Sequence, residues 1–254
     1  MECNSFVFPA PSPSYDQRTL SGHLFYIDKI PCLFCPSPSK SNSKVLIYFH
    51  GNAEDIGCCY SFVSQVCHRL NVHAVMPEYP GYGIYLGKPN AKVISEEAIK
   101  VYDYLNLTLG ISQSDIIIFG RSLGSGPATY VAAHRSPSML ILMSGFTSVK
   151  AVVKNVACLI SCLVKERFRN IDLIEDVKCP KIFLHGEDDD VVPSNCSVEM
   201  YEKSNEPKGI KISPNMDHNY FDVYLDITQP ILSFWESIEF TPTGNVTPEM
   251  FETL

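Results

Sequence analysis

Runs of apolar residues alternate along this chain with longer segments in which apolar residues recur every three or four positions. Two short runs come first, at residues 24–28 and 30–35, and the polar residues Asp28 and Lys29 between them predict an antiparallel hairpin. The later runs are continuously apolar, which is typical of strands buried on both faces of a parallel sheet. We predict these strands at residues 44–49, 72–77, 115–119, 139–143, 181–184 and 210–213.

The segments between these strands carry helical periodicity. Ser95, with Glu96 and Glu97 behind it, gives one of them an N-terminal signal. We predict helices at residues 56–70, 95–107, 127–133, 197–203 and 220–238. Strands that alternate with helices of this length predict an α/β fold, in which helices cover both faces of a mostly parallel sheet. We expect one domain over residues 1–254, ending in a flexible tail at 241–254.

One long segment, residues 147–176, breaks the alternation, and we predict a small helical cap there. Its apolar residues recur at helical spacing: Val149, Val152, Val153, Val156, Ile160, Leu163 and Val164. Ordinary packing against the sheet explains such a face. A second interpretation is that the face receives an acyl chain, with Lys165, Arg167 and Arg169 turned towards acidic lipid headgroups.

Composition and charge narrow the class of protein. The 254 residues are 45% hydrophobic and 19% charged, which is enough for a large core and argues against global disorder. The net charge of −8 argues against nucleic acid as a main partner. No apolar run reaches the length that spans a bilayer. We expect a soluble, cytoplasmic protein, with peripheral membrane contact left open.

The ten cysteines do not predict a disulfide framework or a metal site. The first residues lack the basic and apolar regions of a secretory signal, so we expect a reducing compartment. Cys32 and Cys35 form an isolated C-x-x-C pair, which we interpret as strand residues rather than half of a zinc site.

One strand leads into a motif that carries chemistry. Residues 116–127 read IIIFGRSLGSGP, and a strand, a sharp turn at Ser122 and then a helix are the context of a G-x-S-x-G nucleophile elbow. Gly120 and Gly124 flank the turn, where a Cβ would collide with strand or helix. A phosphate-binding loop is the alternative, but neither G-x-G-x-x-G nor G-x-x-x-x-G-K-[ST] is present. We therefore interpret Ser122 as a nucleophile.

A serine nucleophile needs a histidine base and a carboxylate that orients it. Behind this type of elbow the chain order is serine, acid, histidine, which leaves His185 and His218 among the seven histidines. His185 ends a strand beside Gly186, where a packing role is natural. His218 lies in the loop after the last predicted strand, so we predict it as the base.

The acid is expected in the loop after the penultimate strand, where residues 185–193 read HGEDDDVVP. Asp188, Asp189 and Asp190 are adjacent there, and chemistry alone leaves the choice among them open. Carboxylates this close raise each other's pKa, so we expect one to turn inwards and the others to face water.

The oxyanion hole needs two backbone N–H groups. Leu123 follows the nucleophile and is expected to donate the first. The loop at residues 50–55, HGNAED, follows a predicted strand, and we predict Asn52 as the second donor. The same loop also suits a helix N-terminus capped by Asp55, and both interpretations can hold.

Together these motifs resemble the α/β-hydrolase superfamily over residues 6–240. The segments FVFPAPSPSY, HGNAED, EYPGYG, GRSLGSGP, SGFTS, HGEDDDVVP and DHN are similar to the branch of the alpha/beta-hydrolase-domain proteins of type 17, with looser similarity to Bem46-like and monoacylglycerol-lipase-like hydrolases. The resemblance implies an α/β-hydrolase fold, protein depalmitoylase activity and Asp189 as the acid. Arg121 stands where members of this branch often have Gln. We expect it to face out of the elbow without affecting the chemistry.

We therefore predict a serine hydrolase that cleaves acyl thioesters or esters through an acyl-enzyme, using Ser122, His218 and Asp189. The resemblance implies a palmitoyl-protein thioesterase, and the expected substrate is an acylated protein or a lipid ester. A monoacylglycerol-type lipase, a small carboxylesterase and a non-catalytic interaction protein with a hydrolase fold are the alternatives. An aminopeptidase-like hydrolase would need a carboxylate pair that we cannot place. No metal or organic cofactor is expected.

Overall fold

A computed structural model of the chain describes residues 8–16, 18, 23–38, 43–156 and 165–252. Its central feature is an 8-stranded sheet with the strand order β1-β2-β4-β3-β5-β6-β7-β8. The strands are β1 (Leu24–Ile27), β2 (Ile30–Cys35), β3 (Val45–Phe49), β4 (His73–Pro77), β5 (Ile116–Arg121), β6 (Met139–Met143), β7 (Lys181–Gly186) and β8 (Lys208–Ser213).

The pairing of the strands confirms the predicted mostly parallel sheet with an antiparallel start. β1 and β2 form the predicted hairpin, and β2 pairs antiparallel with β4. All the following neighbours are parallel. Because the carboxyl ends of parallel strands lie at one edge, the loops that follow β3, β5, β7 and β8 are brought to the same side of the molecule.

The two faces of the sheet each pack against helices, as the continuously apolar strands predict. In β3, Val45 and Ile47 belong to one buried cluster, whereas Leu46 and Tyr48 belong to the other. The helices are α1 (Ile56–Leu70), α2 (Ala91–Asp103), α3 (Ser125–His134), α4 (Val149–Val156), α5 (Asn170–Leu173), α6 (Asn195–Lys203), α7 (Gln229–Ser237) and α8 (Glu249–Glu252).

Two helices differ from their predicted bounds by more than two residues at the start, and each does so for a local reason. Helix α2 begins at Ala91 rather than at residue 95, because the side chain of Asn90 accepts hydrogen bonds from the N–H groups of Lys92 and Val93 and caps the first turn. The helix predicted at 220–238 is divided. Val223–Thr228 form a wider π-helical turn capped by Asp222, and α7 follows it.

The described parts of the insertion between β6 and β7 contain the helices α4 and α5. The end of the insertion that leads towards β7 is anchored beside α3. Asn170 is fully buried, and its Nδ2 donates hydrogen bonds to Ser125 Oγ at 3.1 Å and to the Phe146 carbonyl at 3.0 Å. The N–H of Ile171 donates to the carbonyl of Thr147. These bonds connect both ends of the segment to the first turn of α3.

Residues 241–252 differ from the flexible tail expected from the sequence, because they pack on the sheet. Val246 exchanges backbone hydrogen bonds with Ser43, and its carbonyl lies 3.2 Å from His73 Nε2. Phe251 stacks on Phe34 with ring centroids 4.2 Å apart and meets Phe25 edge-on at 5.8 Å. These partners are distant in sequence, so local polarity gave no signal of the contact.

Two further expectations concern the cysteines and the membrane. Cys32 and Cys35 lie in β2 as buried, free thiols, which confirms their interpretation as strand residues. Within the described ranges, no helix combines the length and the apolar character needed to cross a bilayer.

We predict that Phe251→Ala lowers the free energy of unfolding by about 3 kcal/mol, because it leaves a cavity between two buried aromatic rings. Urea unfolding followed by circular dichroism measures the change. Leu107→Ala is the control, since Leu107 is 76% exposed and its loss should change little. Equal unfolding midpoints for Phe251→Ala and the unmutated chain would contradict the packing of this segment.

Candidate active site

The turn after β5 has the strained geometry of a nucleophile elbow. Ser122 adopts a φ of 49°, which a residue with a Cβ rarely does. A Cβ on Gly124 would lie 2.0 Å from the carbonyl oxygen of Phe49, and one on Gly120 would lie 2.4 Å from the carbonyl oxygen of Gly124. Glycine is therefore required on both sides of the serine, and α3 begins directly behind the turn.

The structure brings Ser122, His218 and Asp189 together from the ends of three different strands. His218 Nε2 lies 3.0 Å from Ser122 Oγ. On the other side of the ring, Nδ1 lies 2.8 Å from Asp189 Oδ2 and 3.0 Å from Oδ1. All three residues are buried. Since Nδ1 faces a carboxylate, it carries the proton and donates, which leaves Nε2 free to accept from the serine hydroxyl.

The carboxylate of Asp189 is held on every side. Its Oδ1 accepts hydrogen bonds from the N–H groups of Val191 and Val192, at 3.1 and 2.8 Å. Its Oδ2 lies 3.3 Å from His185 Nε2. Burial by itself raises the pKa of Asp189, but the hydrogen bonds from His185 and His218 outweigh it and hold the pKa well below the usual range. The group is therefore ionised at neutral pH.

The neighbouring carboxylates take no part in this arrangement. Asp188 and Asp190 are exposed, whereas Asp189 is buried against the histidine. As expected, one of the three carboxylates points inwards and the other two face water.

His185 has the predicted packing position and also a contact that the sequence reasoning missed. It is fully buried, with Nδ1 2.7 Å from Ser197 Oγ and Nε2 2.8 Å from the carbonyl oxygen of Val192. It thereby fixes the acid loop and touches Asp189. The spacing of four residues between His185 and Asp189 was the available signal.

The loop at residues 50–55 lies beside the elbow because β3 and β5 are adjacent parallel strands. Asn52 and Leu123 line the same cavity as Ser122. The side-chain oxygen of Asn52 accepts a hydrogen bond from the Tyr82 hydroxyl at 2.7 Å, which fixes the residue in place. Asp55 caps α1 through the N–H of Cys58, as the second interpretation of this loop predicted.

A buried histidine–carboxylate contact supports the loop at residues 50–55. His50 Nε2 lies 2.9 Å from Glu78 Oε1, and both side chains are fully buried. Burial lowers the pKa of His50, but the adjacent carboxylate of Glu78 raises it, and the net pKa is above its usual value. Glu78 also accepts hydrogen bonds from the N–H groups of Ile56 and Tyr79, so one carboxylate joins the loop, α1 and the end of β4.

Arg121 does not face out of the elbow, so that expectation is wrong. Its side chain is only 11% exposed and folds along the cavity. Its Nη1 donates to Glu54 Oε1 at 2.9 Å, and its Nη2 donates to the carbonyl oxygen of His218 at 3.0 Å. A guanidinium can reach several acceptors at once, and here the acceptors are on the two flanking loops.

The cavity above Ser122 has about 530 Å³ of space and two kinds of wall. One wall is apolar, formed by Val149, Val152 and Val153 of the insertion together with Phe146, Val191 and Val192. The other is polar and includes Glu54, Arg121 and Asn219. Of the further apolar residues named for the predicted cap, Ile160, Leu163 and Val164 lie outside the described residues, as does the side chain of Val156.

The basic residues in the second half of the insertion are partly neutralised. Arg169 pairs with Asp172 and, at 3.6 Å, with Glu166. Lys165 is exposed and Arg167 is half-buried, and both line a second cavity with Arg169. Among the described residues, no cluster of three or more potential ligands could hold a metal ion.

Comparison with known proteins finds similarity to alpha/beta hydrolase domain-containing proteins. No family model matches the chain. It is 29% identical over 204 residues to alpha/beta hydrolase domain-containing protein 17B of Xenopus laevis, covering 78% of this chain and 67% of that protein. It is 28% identical over 200 residues to alpha/beta hydrolase domain-containing protein aho-3 of Caenorhabditis elegans, and this match spans 59% of the nematode protein.

Solved structures share the fold at low sequence identity. The monoacylglycerol lipase of Paleococcus ferrophilus superimposes with a TM-score of 0.58 at 16% identity, covering 83% of this chain and 97% of that one. Est1E of Butyrivibrio proteoclasticus, solved with ferulic acid bound, gives a TM-score of 0.64 at 15% identity, covering 85% and 97%. With the sheet, the elbow and these relatives in place, the chain has an α/β-hydrolase fold and is similar to the alpha/beta hydrolase domain-containing proteins of type 17.

Proposed function

We propose that the protein hydrolyses acyl esters or thioesters through an acyl-enzyme, with Ser122 as nucleophile, His218 as base and Asp189 as the orienting acid. The observation that carries the proposal is the position of His218. Its ring bridges Ser122 Oγ at 3.0 Å and Asp189 Oδ2 at 2.8 Å, at the floor of a half-apolar cavity. A binding scaffold has no need of this arrangement.

The steps follow from the proton positions. Nε2 of His218 takes the proton of Ser122 as Oγ attacks the acyl carbonyl, and the N–H groups of Leu123 and Asn52 stabilise the oxyanion. The imidazolium then protonates the leaving thiolate or alkoxide, and the acyl-enzyme remains. Water, deprotonated by the same nitrogen, attacks the acyl carbonyl. The bond from that carbon to Ser122 Oγ then breaks, the imidazolium returns its proton to Oγ, and the acid is released. The ionised Asp189 stabilises the imidazolium in both halves.

The two walls of the cavity support the proposal that the acyl chain binds at one wall and the leaving group at the other. The valine wall of α4 suits an acyl chain, since apolar surface binds apolar chains. The polar wall at Glu54, Arg121 and Asn219 then faces the leaving group. Resemblance to type 17 proteins favours a palmitoyl thioester on a protein cysteine. The fold of a monoacylglycerol lipase among the structural neighbours favours a lipid ester as the second candidate.

We predict that a fluorophosphonate probe labels the unmutated protein and that Ser122→Ala abolishes the labelling, because the probe reacts only with an activated serine. In-gel fluorescence and mass spectrometry of the labelled peptide measure this. Ser138→Ala is the control, since Ser138 hydrogen bonds to the Ile116 carbonyl at the opposite end of the sheet. A protein that does not label would favour the non-catalytic interaction protein, and equal labelling of Ser122→Ala would show that Ser122 is not the nucleophile.

We predict that Asp189→Asn lowers kcat on the order of 10⁴-fold, because an amide stabilises the wrong tautomer of the histidine. Asn keeps one oxygen for the N–H groups of Val191 and Val192, so the loop should remain folded. Asp188→Asn is the matched control and should keep near-normal kcat, since Asp188 is exposed. Similar losses in the two variants would show that Asp189 is not the orienting acid.

We predict that kcat/KM rises with acyl-chain length by up to about fourfold per methylene, since each buried methylene contributes roughly 0.8 kcal/mol. Val152→Phe should narrow the apolar wall and remove this gain for long chains while leaving acetyl esters nearly unaffected. A chain-length series of p-nitrophenyl esters and matched thioesters measures it, with Leu107→Phe as the exposed control. A flat series for the unmutated protein would exclude an acyl site at this wall.

A further inference from the structure

Two charged side chains connect the loops on either side of the elbow, and the triad does not account for them. Resting on the proposed function, we propose that Glu54 and Arg121 are positioning residues, which together hold the oxyanion loop (residues 50–55) and the base loop (residues 214–220) in register with Ser122. We call this pair the clasp. It acts on catalysis through the backbone of the loops that it joins, without touching the reacting atoms.

The hydrogen bonds of the clasp run in series across the site. Glu54 Oε1 accepts from the N–H of Gly51 at 2.6 Å and from Arg121 Nη1 at 2.9 Å. Arg121 Nη2 donates to the carbonyl oxygen of His218 at 3.0 Å and to Asn219 Oδ1 at 3.1 Å. This series of hydrogen bonds runs from the oxyanion loop through Arg121, the residue before Ser122, to the backbone of His218.

The strand order explains why such a tie is useful. β3 and β5 are neighbours, so the ladder fixes the oxyanion loop beside the elbow. The base loop follows β8, which lies at the far edge of the sheet and is separated from β5 by β6 and β7. Backbone pairing therefore cannot fix the distance between His218 and Ser122 as firmly, and Arg121 bridges the gap directly.

The environment of the clasp distinguishes it from a surface ion pair. The side chains of Arg121 and Glu54 are only 11% and 19% exposed, and the guanidinium carbon lies 5.7 Å from the centre of the Phe221 ring. Exposed ion pairs contribute little to stability, because water screens their charges and their side chains are mobile. A largely buried guanidinium with fixed acceptors on two loops restricts the position of both.

Four variants test the clasp, of which Arg121→Lys is the conservative one. Arg121→Met keeps the length of the side chain but has no donors, Glu54→Gln keeps an acceptor but loses the charge, and the third combines them. We expect Arg121→Met to lower kcat for p-nitrophenyl butyrate roughly 10- to 100-fold, the scale of a small misplacement of catalytic groups, with KM changed less than about threefold. Arg121→Lys should recover part of the loss, because one ammonium can still reach the His218 carbonyl.

Rates are expressed per active site, counted by end-point fluorophosphonate labelling, and thermal unfolding is measured in parallel. Arg135→Met is the matched control. It breaks the half-exposed pair of Arg135 with Asp103, where Nε and Oδ1 are 2.7 Å apart, and should leave kcat unchanged. The two single losses should also be far from additive in the double variant, since they break one series of bonds.

Two results would overturn the clasp. One is an unchanged kcat per labelled site in Arg121→Met, even with a lower melting temperature, which would mean a structural role only. The other is additive losses in the double variant. Should Arg121→Met fail to fold, Arg121→Lys and Glu54→Gln decide, and normal kcat in both would count against the clasp. Failure of the proposed function is distinct, because the unmutated protein itself would then neither label at Ser122 nor turn over ester.

Discussion

The close approach of the elbow to the end of β3 is the constraint on which the site depends. Without a side chain at Gly124, the turn can settle against the Phe49 carbonyl, where an added Cβ would lie 2.0 Å from that oxygen. The contact sets Ser122 at a positive φ and brings the loop after β3 alongside it. Ser122 and the loop after β3 are thus placed by one steric fit, and the other residues of the candidate site must be brought to them.

Three carboxylates with little exposure to water, on Glu78, Glu54 and Asp189, bring those groups into place by the same chemistry. Glu78 accepts the N–H groups of Ile56 and Tyr79, Glu54 accepts that of Gly51, and Asp189 accepts those of two valines. Each carboxylate accepts hydrogen bonds from N–H groups of a loop and also contacts a cationic or histidine side chain. This combination lowers the free-energy cost of burying irregular backbone. The loops therefore hold their shape at an edge where no sheet ladder covers them.

The sheet could be predicted because its strands are continuously apolar, and the proximity of Ser122 and His218 because motif and chain order restrict the candidate residues strongly. The identity of the acid could not be derived from chemistry alone, since three adjacent aspartates differ only in which of them the loop turns inwards. The inward orientation of Arg121 was missed because its acceptors belong to residues far away in sequence. Helix α2 was placed too late because its cap, Asn90, lies outside the apolar pattern.

The packing of Val246 and Phe251 has a consequence for the order in which the chain can become native during synthesis. The carbonyl group in contact with His73 belongs to Val246, which lies 173 positions later in the chain. Phe251, which stacks on Phe34, is separated from its partner by an even longer stretch of sequence. The antiparallel edge of the sheet therefore leaves the ribosome well before the residues that cover it, which lie 173 or more positions later in the chain. Until then that edge exposes apolar rings, which makes the nascent chain a natural client for chaperones.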